Sequence, residues 1–155
     1  MIAEDIHLFK PFYRVEECNK EIKECLEGGW TGLGYKTLEI EKNWMKSTGF
    51  KNAHFLNSNT AGLFLSFELL KDRFNWNKDS EIISTPLTFI ATNHAIKNAG
   101  LKVVFADIDE TLNLDPISVK SLITKNTKAL IFVGIGGNPD NYEELIKICR
   151  ENKIL

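Results

Sequence analysis

The sequence lacks the long apolar runs and the strong charge bias that mark several classes of protein. Its 155 residues carry a formal net charge of -2, so there is no electrostatic case for nucleic acid or an anionic membrane as a partner. No uninterrupted apolar run approaches the roughly 18–20 residues that a membrane-spanning helix needs. Residues 1–6 carry two acidic side chains and no basic one, which is not typical of a signal peptide. We therefore expect a cytoplasmic protein.

Cysteine is scarce, and its spacing argues against a disulfide framework or a zinc site. The chain has 3 cysteines, of which Cys18 and Cys25 lie seven residues apart on a predicted helix and Cys149 lies far along the chain. No pair has the spacing of zinc ligands. We expect three free, buried thiols and no bound metal.

The pattern of apolar residues is that of an ordinary globular protein, with 43% hydrophobic and 26% charged residues. Helical periodicity predicts helices over residues 15–26, 36–46, 61–70, 88–98 and 139–152, and one more opened by Asp115 and Pro116. Short apolar runs predict strands over 53–56, 81–84, 102–106 and 129–133, and the start of another at 153–155. This alternation predicts an α/β protein with three α/β/α layers and a mostly parallel sheet. An unpaired sheet edge at the end leads us to expect the front portion of a longer protein.

The most informative segment is the turn at residues 57–63, Asn-Ser-Asn-Thr-Ala-Gly-Leu. Small polar residues separate a predicted strand from a predicted helix. Free backbone N–H groups at the positive end of a helix favour a bound anion such as phosphate. The alternative is an ordinary helix cap formed by Asn59 or Thr60.

This turn and other motifs, in order, resemble the DegT/DnrJ/EryC1/StrS family of sugar-nucleotide aminotransferases that use pyridoxal 5′-phosphate (PLP). Residues 57–63 are similar to the family's phosphate turn, Ser-Gly-Thr-Ala-Ala-Leu, and are called the phosphate turn below. Residues 85–92 are similar to its Thr-Pro-x-Thr-Phe-x-Ala-Thr motif. The resemblance is also carried by residues 30–34, 79–83, 104–109, 113–115, 127–129 and 137–140.

The resemblance implies the large domain of fold-type-I PLP-dependent transferases, present here in part. It assigns 1–35 to an N-terminal helix and Gly-rich turn, and 36–155 to the front of the PLP-binding domain. The residues implied to bind the cofactor are Ser58, Asn59, Thr60 and Ala61 at the phosphate, and Phe89, whose ring stacks on the pyridine ring. The alternative for Phe89 is a core position on a helix. Trp30, Thr31 and Gly32 are implied to lie near the substrate in a homodimer.

The implied reaction moves an amino group, usually from glutamate, to a keto-sugar nucleotide in surface-polysaccharide or deoxysugar biosynthesis. Two alternatives stay open at this point. One is a PLP-dependent sugar dehydratase of the same fold, and the other is a non-catalytic remnant or interaction module.

Three departures from the family pattern bear on these expectations. Position 59 is Asn where the family usually has Gly, and a Gly there would allow a positive φ. Residues 134–137, Gly-Ile-Gly-Gly, replace a stretch that usually carries His and an aromatic residue. No lysine of the chain matches the one that links to PLP in the family. We therefore assign no catalytic residue here and expect the 155-residue chain alone to be inactive.

Overall fold

A computed structural model describes residues 10–155; the prediction for residues 1–6 lies outside them. The chain separates into two compact units, one ending at Phe55 and one covering Leu56–Leu155, called the N-terminal and C-terminal units below. This separation rests on packing alone, and the functional division into 1–35 and 36–155 stays a prediction. Within the described residues, no helix is both long and apolar enough to cross a membrane.

The N-terminal unit consists of two helices, α1 (Val15–Gly28) and α2 (Tyr35–Thr48). Gly29 ends α1 in the left-handed conformation, with φ of 63°, where glycine carries no Cβ penalty. An ion pair joins the helices, because Lys36 of α2 contacts Glu21 and lies 3.1 Å from the Glu24 carboxylate on α1. Hydrogen bonding to Glu21 and Glu24 raises the pKa of Lys36 above its usual range.

The prediction of buried cysteines is wrong for α1. Cys18 and Cys25 are exposed and Cys149 is half-buried. No side chain of α1 is buried among the described residues, and Leu26 on the same apolar face is 75% exposed. Helical periodicity identifies an apolar face, but it does not identify what covers that face.

The predicted strand at residues 53–56 is also absent from the structure, which has an irregular segment there. The Phe55 N–H donates to Glu41 Oε1 at 2.8 Å. A side-chain carboxylate on α2 therefore takes the hydrogen bond that a neighbouring strand would otherwise accept. An apolar run alone does not supply the partner strand that a ladder requires.

The C-terminal unit is built on three parallel strands, β1 (Glu81–Ser84), β2 (Lys102–Phe105) and β3 (Thr127–Leu130), in the order β2-β1-β3. The end of the chain adds to this sheet: Leu130 N–H donates to Leu155 O at 2.8 Å, and Leu155 N–H donates to Lys128 O at 3.0 Å. The two bonds have the pattern of a parallel ladder at Leu155, although residues 153–155 do not form a strand and Lys153 still belongs to the end of α6.

Helices cover both faces of the sheet, so the predicted α/β class is confirmed. On one face, α3 (Asn59–Phe74) and α4 (Ile90–Asn98) pack in a cluster around Ile82 that includes Phe67 and Ala95. On the other face, α5 (Pro116–Leu122) and α6 (Tyr142–Asn152) contribute Val119, Leu145 and Ile148 to a cluster around Ile83. Successive residues of β1 therefore enter opposite cores.

A polar brace joins the loop after β2 to the loop that precedes α6. The Asp109 carboxylate accepts hydrogen bonds from the Thr111 hydroxyl at 2.6 Å and from Asn141 Nδ2 at 2.6 Å. Asn113, 1% exposed, donates to Asn138 O at 3.2 Å. The hydrogen bonds from Thr111 and Asn141 hold the pKa of Asp109 below its usual value of 3.8.

We predict that Asp109→Asn makes the free energy of unfolding less dependent on pH in acid. Because the pKa of Asp109 is lower in the folded state, its contribution to stability is present above the unfolded-state pKa and is lost as pH falls through the folded-state pKa. The substituted amide would also face the amide of Asn141, so the variant is less stable at neutral pH.

The measurement is urea unfolding of both proteins from pH 7 to about pH 3. The stability difference between them should shrink as the pH falls. Glu110→Gln, at the exposed neighbouring carboxylate, serves as the control with a small effect. A difference that stays constant over the whole range would contradict the role given to the Asp109 carboxylate.

Candidate functional site

The phosphate turn ends in a capped helix start. Ser58 is the N-cap of α3, in an extended conformation with φ of -161°, and its hydroxyl accepts a hydrogen bond from Ala61 N–H at 3.2 Å. The cap is thus formed by Ser58, not by Asn59 or Thr60. The Ala61 N–H that the resemblance implies for phosphate binding already has a partner inside the turn.

Two backbone donors at this helix start have no partner. Within residues 10–155, no group accepts a hydrogen bond from the N–H of Asn59 or Thr60, as expected for the first turn of a helix. Both residues are exposed. The positive end of the 16-residue helix α3 therefore presents two free N–H groups to solvent.

The departure from the family pattern at position 59 leaves the turn intact. Asn59 is the first helical residue of α3 and is not among the residues with positive φ. Position 59 does not need the positive φ that a Gly would allow, because Asn59 lies inside the helix rather than in the turn before it.

Phe89 lies between β1 and α4, at the N-cap position of α4. Its side chain is 74% exposed, so the alternative of a core phenylalanine on a helix is wrong. No other aromatic ring of the described residues stacks on it. A large apolar ring held in solvent is available for a flat ligand.

The phosphate turn and Phe89 belong to two helices that pack on the same face of the sheet. Near the end of α3, Lys71 Nζ donates to the backbone oxygen of Ala99, which ends α4, at 2.7 Å. Since the C-terminal ends of the two helices adjoin, their N-terminal ends lie toward the same edge of the sheet. That edge is where β1 ends, and open parallel sheets bind their ligands there.

A polar network that no sequence motif predicts holds the loop at residues 85–89, called the α4 loop below. Ser84 Oγ donates to Asn93 Oδ1 at 2.6 Å, and Asn93 Nδ2 donates to Thr85 O at 3.0 Å. Ser84 and Thr85 are only 0% and 2% exposed. The sequence signal for this network is Ser84, a polar residue at the end of a buried strand, because a buried polar group needs a hydrogen-bond partner.

The third predicted group, Trp30, Thr31 and Gly32, lies in the N-terminal unit between α1 and α2. Trp30 is 73% exposed, and its indole N–H donates to Leu33 O at 3.0 Å. A Cβ atom at Gly32 would lie 3.1 Å from Trp30 Nε1, so glycine allows the ring to fold over the turn. This turn holds an aromatic side chain at the surface.

The residues at the start of α3 fit the phosphate of PLP. Two free N–H groups and the Thr60 hydroxyl are exposed at the positive end of a helix, and the neighbouring side chains are small. The described residues contain no cluster of three or more His, Cys, Asp or Glu side chains placed to hold a metal ion.

Comparison with known proteins identifies the family of this chain. The sequence profile of the DegT/DnrJ/EryC1/StrS aminotransferase family matches residues 13–155. The spore coat polysaccharide biosynthesis protein SpsC of Bacillus subtilis is 37% identical over 134 residues, which are 86% of this chain and 33% of that protein.

Two solved structures resemble the fold closely. The aminotransferase PseC of Helicobacter pylori, involved in the biosynthesis of pseudoaminic acid, has a TM-score of 0.81 and 29% identity over 88% of this chain and 36% of its own. The GDP-4-keto-6-deoxy-D-mannose-3-dehydratase of E. coli, with bound hydrated PLP, has a TM-score of 0.83 and 30% identity over 94% of this chain and 38% of its own.

The chain thus spans about a third of the length of these relatives, 33–38%. The match nevertheless includes the phosphate turn, the α4 loop and all three strands. The chain belongs to the DegT/DnrJ/EryC1/StrS aminotransferase family.

Proposed function

We propose that this chain supplies the cofactor-binding part of a PLP-dependent aminotransferase that transfers an amino group to a keto-sugar nucleotide. The observation that carries the proposal is the pair of free N–H groups of Asn59 and Thr60 at the start of α3. They lie in residues 57–63, which resemble the family's phosphate turn, and the chain belongs to this aminotransferase family.

The phosphate group would be held mainly by the helix. Asn59 and Thr60 donate their N–H groups, and the Thr60 hydroxyl adds a third donor, while the dipole of α3 favours the negative charge. Ser58 acts differently, because its hydroxyl accepts from Ala61 N–H and fixes the turn. Ser58 and Ala61 therefore stabilise the conformation of the turn and do not contact the phosphate themselves.

Phe89 would hold the ring of the cofactor. Its exposed side chain comes shortly after the buried end of β1. The N-terminal end of α3 lies toward the same edge of the sheet. A flat aromatic face suits a flat, electron-poor pyridine ring. When bound, PLP acts as the electron sink through which an amino group passes between donor and acceptor.

The substrates belong to the proposal as well. The amino donor is glutamate, the acceptor is a sugar nucleotide with a keto group, and the setting is polysaccharide or deoxysugar biosynthesis in the cytoplasm. SpsC, a spore coat polysaccharide biosynthesis protein, and PseC, an aminotransferase in pseudoaminic acid biosynthesis, support this choice. Trp30, Thr31 and Gly32 would contact the substrate in a homodimer, as their exposed turn allows.

A second candidate is a sugar dehydratase that uses the same cofactor. The similarity to the E. coli dehydratase, with 30% identity and a TM-score of 0.83, favours it specifically. The geometry of the phosphate turn and Phe89 does not distinguish the two reactions, because both require PLP to be bound in the same way. The fate of the amino group separates them.

We predict that the complete gene product, given PLP, a 4-keto-6-deoxysugar nucleotide and ¹⁵N-labelled glutamate, forms a labelled aminosugar nucleotide. In a transamination the ketone oxygen is replaced by the amino group and glutamate becomes 2-oxoglutarate. Mass spectrometry of the nucleotide product shows which reaction occurs. A product that has lost a hydroxyl and carries no ¹⁵N would establish the dehydratase. If no 4-keto-6-deoxysugar nucleotide is converted, both candidates are contradicted.

We also predict that Thr60→Val weakens PLP binding about ten- to a hundred-fold. The change removes a hydroxyl donor and keeps the side-chain shape, and a hydrogen bond to a charged group contributes roughly 1.5–3 kcal/mol. Asn59→Pro should weaken binding as well, because it removes a backbone donor. Proline suits this first helical position, and the preceding Ser58 is already extended.

The measurement is the PLP dissociation constant of the complete gene product by equilibrium dialysis, with thermal melting to establish that each variant folds. Thr48→Val, at the end of α2, is a matched control outside the site. Unchanged affinity in both Thr60→Val and Asn59→Pro would mean that the phosphate turn is only a helix cap.

A further inference from the structure

Asn93 is the one side chain of α4 that bonds to both the end of β1 and the α4 loop. Its Oδ1 accepts the Ser84 hydroxyl proton at 2.6 Å, and its Nδ2 donates to the backbone oxygen of Thr85 at 3.0 Å. Ser84 is two residues after Ile82 and therefore points to the same face of the sheet, the face that α4 covers. The helix and the strand end are thus joined through a single amide.

The contacts continue from Thr85 to Phe89. Thr85 Oγ1 accepts from Leu87 N–H at 3.0 Å, and Pro86 O accepts from Thr88 N–H at 3.1 Å. The Thr88 and Thr92 hydroxyl groups lie 3.0 Å apart. The α4 loop is therefore hydrogen-bonded both within itself and to α4, and it places Phe89 at the surface.

Asn93 also lies one helical turn after Phe89. Side chains on a helix lean toward its N-terminus, so a residue at this spacing supports the start of the helix. Phe89 itself has no such support from packing, because its ring is 74% exposed. Its orientation depends on the backbone that carries it.

We propose that Asn93 is a positioning residue, which holds the α4 loop so that the Phe89 ring faces the cofactor. This inference rests on the proposed function, in which Phe89 stacks on PLP. Asn93 touches no ligand and acts through Thr85 and the loop. When the Asn93 bonds are lost, the loop samples other conformations, and the apparent affinity for PLP falls with the fraction of molecules that remain competent.

The test is a double-mutant cycle on the complete gene product with Asn93→Asp, Phe89→Ala and the double variant. Asn93→Asp keeps the shape and the acceptor for Ser84, but it places a carboxylate oxygen against the Thr85 carbonyl. The readouts are the PLP dissociation constant and the amide hydrogen exchange of residues 85–90 in the cofactor-free protein. His94→Ala, at the exposed neighbouring position on α4, is the matched control.

We expect Phe89→Ala and Asn93→Asp each to raise the dissociation constant by about five-fold or more, and exchange in residues 85–90 to quicken in Asn93→Asp. In the Phe89→Ala background, Asn93→Asp should add less than about a two-fold change. A merely structural role would weaken binding by the same factor in both backgrounds. That result, or no weakening by Asn93→Asp, would overturn the positioning role and leave the proposed function standing.

The failure of the proposed function looks different. If Phe89→Ala does not change the dissociation constant, the stacking assignment is wrong and the role of Asn93 falls with it. If Asn93→Asp does not fold, Ser84→Ala takes its place in the same cycle, because it removes only one of the two bonds to Asn93. The same dependence on Phe89 would support the proposal, and its absence would overturn it.

Discussion

The candidate site depends on the central strand β1, because this strand contributes residues to the hydrophobic cores on both faces of the sheet and ends at the α4 loop. Ile82 and Ile83 are both 0% exposed and enter clusters on opposite faces of the sheet. Parallel hydrogen bonds to β2 and β3 fix the strand along its length. Any shift in the register of β1 would move its buried side chains out of their cores.

Two polar features at the same edge of the sheet follow from this packing. The helix α3, held on the sheet through Phe67, leaves its first N–H groups unpaired at its exposed end. The α4 loop leaves the interior at Thr85 and is stabilised there by Asn93. The packed core thus presents a positive helix end and an aromatic ring, the two surfaces that we propose for the phosphate and the pyridine of one cofactor.

Much of this arrangement follows from local sequence. The Asp115 cap and the helix that Pro116 begins are confirmed, since the carboxylate accepts from Ile117 N–H at 2.9 Å. Strand β1 has its predicted bounds. Local patterns predict such elements because the residues that decide them are neighbours in the chain.

The failures concern features that local sequence does not determine. Residues 53–56 form no strand, and the Phe55 N–H bonds to the carboxylate of Glu41, fourteen residues earlier, instead of to a neighbouring strand. Cys18 and Cys25 are exposed because an apolar helix face needs a partner surface to be buried. Asn93 is a common residue type with no motif of its own, and its role comes from tertiary contacts with Ser84 and Thr85. The roles of Asn59, Thr60 and Phe89 stay predictions.

The most direct test of the central claim is a crystal structure of the complete gene product soaked with PLP. We predict that the phosphate accepts hydrogen bonds from the backbone N–H groups of Asn59 and Thr60, with the pyridine ring stacked on Phe89. A phosphate bound elsewhere, with the start of α3 facing only solvent, would contradict it.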